Sequence, residues 1–211
     1  MTQKKVKEIL NALDEHYGTD ERCFLSYDTD KPHELLIATI MSAQCTDERV
    51  NAVSKELFKK YKSVSDFANA DINELEKDIH SVGFYHMKAK HIIEACRMLT
   101  HDFGGEVPSD IDDLTKLPGV GRKTANVVRG HIFNIPSVVV DTHVKRVAKR
   151  LGLTDETDPE KVEYDLEKVI PEDHRILINL QLITHGRALC RSQRPDCENC
   201  FLLTLCRSKG K

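Results

Sequence analysis

Helical periodicity runs through nearly all of this 211-residue chain and constrains its fold more than any other feature. An apolar side chain every three to four residues is typical of an amphipathic helix. The first such stripe comprises Val6, Ile9, Leu10, Leu13 and Tyr17. Further helices are predicted after Pro32 and near residues 48–60, 71–80, 86–102, 110–117, 121–133, 142–151, 159–170 and 172–185. The strand-like run Val138-Val139-Val140 is too short for a sheet, so the predicted fold class is all-α.

Bulk composition favours a globular protein without a membrane segment. Hydrophobic residues make up 40% and charged residues 31% of the chain, which is the balance of an ordinary folded domain. No apolar run approaches the ~20 residues that a membrane span requires. The first residues lack the apolar core of a signal peptide or other targeting signal. We therefore expect a cytoplasmic monomer with no membrane partner.

Charge is distributed very unevenly along the chain. The net charge is −3, yet residues 116–150 carry eight lysines and arginines against one acid, Asp141. That block has a net charge of +7, which leaves −10 for the rest of the chain. A local basic surface on an acidic body is what phosphate binding needs, because distant charges are screened beyond ~10 Å. A basic, solvated helix face is the alternative interpretation.

A glycine-containing turn lies between two predicted helices inside the basic block. Ser109 is a plausible N-cap of the first helix, which must end at Leu117 because a residue before proline avoids the α conformation. Gly119 and Gly121 then precede a second helix. Glycines allow a sharp turn and bring backbone N–H groups close to a ligand, and the next helix begins with its positive end. The pattern predicts a cradle for a phosphate oxygen, although such turns also serve as plain connectors.

Four of the seven cysteines lie within 17 residues near the C-terminus. Cys190, Cys197, Cys200 and Cys206 follow the pattern C-x6-C-x2-C-x5-C. Four thiolates complete the ligand set of a tetrahedral zinc ion or of a [4Fe–4S] cluster, and the spacing alone does not choose between them. Either metal would be structural, because no coordination position stays open. The remaining three cysteines are scattered and are predicted to be small buried hydrophobes. Just before the first ligand, Gly186 is predicted to end a helix.

Three segments together resemble the helix–hairpin–helix DNA glycosylases. They are Leu36-Ile37-Ala38-Thr39-Ile40-Met41-Ser42-Ala43-Gln44-Cys45-Thr46-Asp47, Leu117-Pro118-Gly119-Val120-Gly121-Arg122-Lys123-Thr124-Ala125 and Val140-Asp141-Thr142-His143-Val144-Lys145-Arg146-Val147. With the four-cysteine tail, the resemblance runs nearly end to end. It is closest to the endonuclease III branch, whose cysteines with this spacing hold a [4Fe–4S] cluster.

The resemblance implies a base-excision repair enzyme that acts on double-stranded DNA carrying a damaged or abasic nucleotide. Lys123 would attack C1′, expel an oxidised pyrimidine and cut the strand on the 3′ side by β-elimination through a Schiff base. Asp141 would transfer protons and offset positive charge on the sugar. A surface lysine and a helix N-cap are the corresponding alternatives. A DNA-binding protein without catalysis and an iron–sulfur electron carrier remain rival functions.

The lysine needs help to act as a nucleophile. Lowering its pKa from ~10.4 by two units requires ~2.7 kcal/mol, whereas the start of a helix supplies at most ~2 kcal/mol. Burial or a neighbouring cation such as Arg122 would have to supply the remainder.

The resemblance also predicts which residues contact DNA. Gln44 would fill the gap left by an extruded nucleotide, and Phe84 would wedge the opposite strand. The alternatives are a backbone cap for Gln44, a core aromatic for Phe84 and a helix-start residue for His143. The cluster loop is more basic in relatives, so Asp196 weakens the prediction that this loop contacts DNA. The complete predicted set is Gln44, Phe84, Gly119, Val120, Gly121, Arg122, His143, Arg191 and Arg194.

Two helical domains flanking a DNA-binding cleft are implied by the family. Residues 23–136 would form one domain, with the helix–hairpin–helix at about 109–130. Residues 1–22 and 137–211 would form the iron–sulfur domain, with the cluster loop at 190–206.

Overall fold

A computed structural model describes residues 2–20 and 23–209 of the chain. Within these residues there are eleven α-helices and no β-strand, so the all-α prediction is confirmed. The helices are α1 Gln3–Tyr17, α2 Pro32–Ser42, α3 Asp47–Lys60, α4 Val64–Ala68, α5 Ile72–Asp78, α6 Tyr85–Asp102, α7 Ile111–Lys116, α8 Arg122–Phe133, α9 Thr142–Leu151, α10 Pro159–Val169 and α11 Arg175–Ala188. Short 3₁₀ turns lie at His80–Val82 and Glu172–His174. Among the described residues, no helix combines the length and apolarity needed to cross a membrane.

The chain divides into two compact units, Cys23–Ile135 and Met1–Arg22 with Pro136–Lys211. The contiguous unit contains α2 to α8. Its central helix, α2, begins with Pro32 at its first turn and is buried from Glu34 to Met41, and proline is well suited to that first turn because its φ is already helical. α3, α6 and α8 all pack on α2. The hairpin between α7 and α8 therefore stands on a well-packed core.

The discontinuous unit combines the first helix with α9, α10 and α11. α1 contributes Val6, Ile9, Leu10 and Leu13 to an apolar core that also contains residues of the other three helices. α11 lies against both α1 and α9, and its buried surface extends around the helix from Leu177 to Gly186. A helix that is buried on most sides belongs at the centre of its unit.

Several local predictions are corrected by the structure. Asp110, not Ser109, is the N-cap of α7, since its Oδ1 accepts hydrogen bonds from the N–H groups of Asp112 and Asp113 at 2.9 and 3.2 Å. α11 continues past Gly186 to Ala188. A short helix, α4, was not predicted, although Ser63 and Asp66 form a capping box at its start.

Candidate active site

The hairpin between α7 and α8 is a compact turn with one internal hydrogen bond. α7 ends at Lys116, and the N–H of Val120 donates to the carbonyl of Leu117 at 3.0 Å. Gly121 is the N-cap of α8 and supplies no side-chain cap. The first N–H groups of a helix have no partners within the helix. The start of α8 is therefore suited to an anion from outside the protein.

Its two glycines are required for different reasons. Gly119 has a φ of +78°, and a Cβ there would lie 2.9 Å from Cβ of His91 on α6. Gly121 has a φ of −94°, and a Cβ there would meet nothing in the protein within 4 Å. Gly119 is thus required by the fold. The missing side chain of Gly121 matters only to what approaches from outside.

Val120 anchors the hairpin. Its side chain is only 6% exposed and belongs to the core of the contiguous unit. Its N–H donates to the carbonyl of Leu117. The contact of Val120 with DNA stays a prediction.

Lys123 and Arg122 occupy the first turn of α8. The Lys123 side chain is exposed, and that of Arg122 is half-buried. Lys123 is thus accessible to a substrate that meets the hairpin from outside.

Asp141 is the N-cap of α9. Its Oδ1 accepts a hydrogen bond from the N–H of Val144 at 2.7 Å. In the non-helical segment before it, the side chain of Asn179 on α11 takes the place of a neighbouring strand. Asn179 accepts from the N–H of Val139 at 3.0 Å and donates to the carbonyl of Ser137 at 3.2 Å. The buried amide of Asn179 therefore fixes the chain that leads into Asp141.

His143 lies against a glycine of α11. A Cβ on Gly186 would be 2.8 Å from Nδ1 of His143, which explains why a glycine stands inside this helix. Nη2 of Arg146 lies 3.1 Å from both Nδ1 of His143 and the carbonyl of Gly186. A guanidinium can only donate, so Nδ1 accepts and Nε2 carries the proton as a donor. Burial lowers the pKa of His143, in keeping with a neutral ring.

Gln44 and Phe84 are both exposed, and both have left-handed backbones. Their φ angles are 53° and 50°, which is uncommon for residues other than glycine. Phe84 is 69% exposed. The alternative interpretation of Phe84 as a core aromatic is therefore wrong. Strained, exposed residues of this kind cluster at functional sites.

All four C-terminal cysteines line one cavity in the discontinuous unit. In the part of the chain that the structure describes, no three His, Cys, Asp or Glu side chains are close enough for a single metal ion. The thiols nevertheless influence one another, because the pKa of Cys200 is raised mainly by burial and further by the other three. Four thiol side chains around one cavity are a donor set that would suit a [4Fe–4S] cluster as well as a zinc ion.

Arginines of α9 hold the beginning of the cysteine loop. Nη1 of Arg150 donates to the carbonyl of Arg191 at 2.6 Å and lies 3.3 Å from Sγ of Cys190. Nε of Arg146 donates to the carbonyl of Cys190 at 3.2 Å. α9 is thus capped by Asp141 at its start and fixes the cysteine loop through Arg146 and Arg150 further along.

The loop itself presents two exposed arginines, Arg191 and Arg194. Arg194 has a φ of 50°. The carboxylate of Asp196 accepts hydrogen bonds from the side-chain amide of Asn199 at 3.0 and 3.1 Å. Its charge is thereby directed towards Asn199 within the loop.

A hydrogen-bonded series leads from α1 to one cysteine. Oη of Tyr17 lies 3.0 Å from Nδ1 of His185, whose Nε2 lies 3.6 Å from Sγ of Cys200. Burial lowers the pKa of His185 to about 4 and raises the pKa of Tyr17 to about 12. Tyr17 therefore keeps its proton and the ring of His185 is neutral, so that the hydroxyl can donate to Nδ1 while an Nε2–H faces the sulfur.

Comparison with known proteins identifies the family. Residues 37–172 match the model of the HhH-GPD superfamily base excision DNA repair proteins. The chain belongs to this family. Among its members, endonuclease III of Synechocystis sp. is 48% identical over 98% of this chain and 93% of its own length. Endonuclease III of Escherichia coli K12 is 38% identical over 100% of this chain and 99% of its own.

A solved HhH-GPD relative is similar in structure as well. It is a trapped endonuclease III–DNA covalent intermediate, with a TM-score of 0.91, 44% sequence identity and coverage of 99% of this chain and 97% of that one. The recognition of the family from sequence motifs is confirmed. Sequence reasoning missed Asn179, Arg150 and His185, because single buried polar residues carry no motif.

In this HhH-GPD chain the predicted residues fall into both units. The hairpin, Lys123, Gln44 and Phe84 belong to Cys23–Ile135, whereas Asp141, His143 and the cysteine loop belong to the other unit. Within the first, the structure brings Gly119, Gly121 and Lys123 together at the start of α8. Within the second, α9 joins Asp141, His143 and the cysteine loop.

Proposed function

We propose that this chain is a DNA glycosylase with abasic-site lyase activity, acting on oxidised pyrimidines in duplex DNA in the cytoplasm. The observation that carries the proposal is the exposed Lys123 in the first turn of α8, directly after the hairpin. The N-cap of α8 is Gly121, and no protein atom would obstruct a ligand that approaches it. An amine beside a phosphate site is placed to reach the sugar of the same nucleotide. A relative of this chain has been trapped as a covalent intermediate with DNA.

Binding begins with the phosphate backbone. The N–H groups at the start of α8 and its positive dipole end attract a phosphate oxygen without a net charge on the glycine turn. His143 donates through Nε2, and Arg191 and Arg194 add charge from the loop. Such contacts fix the position of the duplex but do not read its sequence.

The damaged nucleotide must then leave the helical stack, at a cost of a few kcal/mol. We assign Gln44 to the vacated gap and Phe84 to the opposite strand. Their exposure and left-handed backbones support this assignment. An apolar wedge between bases is a common device of proteins that open a duplex.

Lys123 carries the covalent step. Its deprotonated Nζ attacks C1′, the C1′–N bond to the base breaks, and the base leaves with the electron pair and gains a proton. Opening of the C1′–O4′ bond leaves a protonated imine between Nζ and C1′. Loss of a C2′ proton then expels the 3′ phosphate by cleavage of C3′–O, and water releases the lysine. Because Lys123 is exposed in the protein, covering by DNA supplies the desolvation that favours its neutral form.

We assign Asp141 to proton transfer and to stabilisation of the positive sugar. Oδ1 holds the start of α9, which fixes the orientation of the carboxylate. Its two oxygens allow one group to serve as both cap and proton acceptor.

Cys190, Cys197, Cys200 and Cys206 are inferred to hold a [4Fe–4S] cluster. When bound, the cluster supplies a structural crosslink of the loop that carries Arg191 and Arg194. Arg150 and His185 direct N–H groups at Cys190 and Cys200, as expected around thiolate sulfur. Metal analysis should find four irons per chain in this cluster type. Stoichiometric zinc with no iron would contradict the inference.

Borohydride reduction on duplex DNA with an abasic site tests the enzymatic proposal. Wild-type protein should form a covalent complex, and Lys123→Gln should form none. Lys116→Ala is the matched control, since Lys116 is another exposed lysine of the hairpin but is paired with Asp113 at 2.7 Å. A complex that survives Lys123→Gln would contradict the role of Lys123, and no complex with wild type would favour the rival DNA-binding protein without catalysis. Failure to bind DNA at all would leave the electron-carrier alternative.

A further inference from the structure

Two separate loops present Gln44 and Phe84. Gln44 follows the end of α2 at Ser42, and Phe84 follows the 3₁₀ turn His80–Val82 and precedes α6. Each residue has a positive φ, a conformation that persists only when surrounding structure imposes it. Something must therefore hold both loops.

One buried side chain contacts the ends of the two elements that these loops follow. Lys88, in the first turn of α6, is only 5% exposed. Its Nζ donates to the carbonyl of Met41 at 2.8 Å and to that of Val82 at 2.7 Å. Its backbone N–H donates to the carbonyl of Phe84 at 3.1 Å. Met41 is three residues before Gln44, and Val82 is two residues before Phe84.

Burying an ammonium group between two carbonyls carries a desolvation cost. Burial lowers the pKa of Lys88, because desolvation disfavours the charged form. A neutral or apolar residue would avoid that penalty. A charged donor, however, makes shorter and stronger hydrogen bonds than a neutral one and can bridge two carbonyls at once.

We propose that Lys88 is a positioning residue that fixes the Gln44 loop against the Phe84 loop, so that both side chains enter an opened duplex at a set separation. The proposal rests on the proposed function of Gln44 and Phe84. Filling a gap and wedging the other strand are simultaneous events, so relative placement matters as much as the identity of either side chain. Met87, one residue before Lys88, is also exposed.

The test compares a substrate that needs base extrusion with one that lacks the base. Lys88→Met removes the donors but retains most of the volume. On duplex DNA with thymine glycol opposite adenine, its kcat/KM should fall by about tenfold to a hundredfold, as a misplacement of about 1 Å causes in other enzymes. Borohydride trapping on an abasic site, which has no base to unstack, should change by less than about threefold. A 2-aminopurine beside the thymine glycol should show a smaller fluorescence rise on binding.

Matched variants complete the design. Lys88→Arg keeps the N–H donors and should recover most of the activity on thymine glycol. Lys90→Ala, an exposed lysine of the same helix at 59% side-chain exposure, should behave as wild type. If Lys88→Met does not fold by circular dichroism, Lys88→Gln replaces it with the same expected selective loss, because its shorter amide cannot reach both carbonyls.

A failure of the positioning role can be distinguished from a failure of the proposed enzymatic function. Wild-type activity of the Lys88 variant on thymine glycol, or an equal loss on both substrates, would overturn the positioning role. If Gln44→Ala and Phe84→Ala also leave thymine glycol excision unchanged, their assignment fails and the positioning role fails with it. If wild-type protein forms no trapped complex, the enzymatic function itself is wrong.

Discussion

The carboxylate of Asp141 accepts a hydrogen bond from the N–H of Val144 at 2.7 Å. The residue assigned to proton transfer is therefore also the N-cap of α9. The sequence allowed both roles for this residue. In the structure one oxygen caps the helix, and a carboxylate has a second oxygen for chemistry. Substitution can separate them.

Asp141→Asn should lose activity but retain the cap. Asparagine caps helices about as well as aspartate, so the free energy of unfolding should change by less than about 0.5 kcal/mol. Base excision in a single turnover should slow by about 10²-fold or more, the usual contribution of a general acid or base. Asp141→Ala should show the same loss of rate and cost about 1 kcal/mol in urea unfolding. Equal activity of wild type and Asp141→Asn would reduce Asp141 to a helix cap.

Gly119→Ala should lower the stability of the protein, whereas Gly121→Ala should lower its affinity for DNA. At Gly119, the left-handed φ and the 2.9 Å approach to His91 should destabilise the protein by about 2–4 kcal/mol. Gly105→Ala is its control, because φ is +87° there but no atom lies within 4 Å. Gly121→Ala should fold normally and bind abasic DNA about tenfold more weakly, or about 1.4 kcal/mol. Unchanged affinity would mean that no phosphate approaches this turn.

Acid should weaken the contiguous unit through His131. Burial lowers the pKa of His131 below its usual 6.5, so the folded state favours the neutral ring. The stability from this residue is complete above about pH 6.5 and is lost as the pH falls towards the folded-state pKa, with a slope of at most about 1.4 kcal/mol per pH unit. His131→Gln should flatten the pH dependence of urea unfolding between about pH 7.5 and 5.

His101 provides the opposite control for that measurement. Its hydrogen bond to Asp102 raises the pKa of His101, so any stabilisation is present at acid pH and is lost as the pH rises. His101→Gln should therefore not flatten the acid side of the curve. The same slope in wild type and His131→Gln would exclude His131 as the source.

Arg191 and Arg194 should contribute salt-dependent affinity. Asp196 is directed towards Asn199, so it does not neutralise the loop by pairing with these arginines through that contact. The double alanine variant should lower the slope of log K against log salt by about 0.9 for each phosphate that an arginine no longer neutralises. Lys168→Ala, with a side chain 73% exposed in the same unit, should leave the slope unchanged. An unchanged slope in the double variant would exclude the loop from the DNA interface.

Local signals predicted the helices well because each carries its own pattern. Pro32 opens α2, and the apolar stripe of α1 is readable from its spacing alone. The motif around Lys123 likewise located the hairpin. Errors arose where two distant segments meet. Gly186 was predicted to end a helix. It is a glycine because His143, which lies 43 positions earlier in the chain, packs against it in space.

Buried polar residues were the hardest part of the site to predict. Asn179 satisfies an extended segment that sequence reasoning compared with a strand. No sequence pattern marks Lys88, yet it is buried and donates to carbonyls of two other segments. Such residues are required by backbone carbonyls of other segments. Every residue has a backbone carbonyl, so the sequence does not show which ones need a partner.

The discontinuous unit imposes an order on synthesis. α1 is synthesised before its core partners on α9 to α11, which lie more than a hundred residues later. At about 5–20 residues per second, Cys23–Ile135 is complete several seconds before α11. The apolar face of α1 lacks its core partners during that interval.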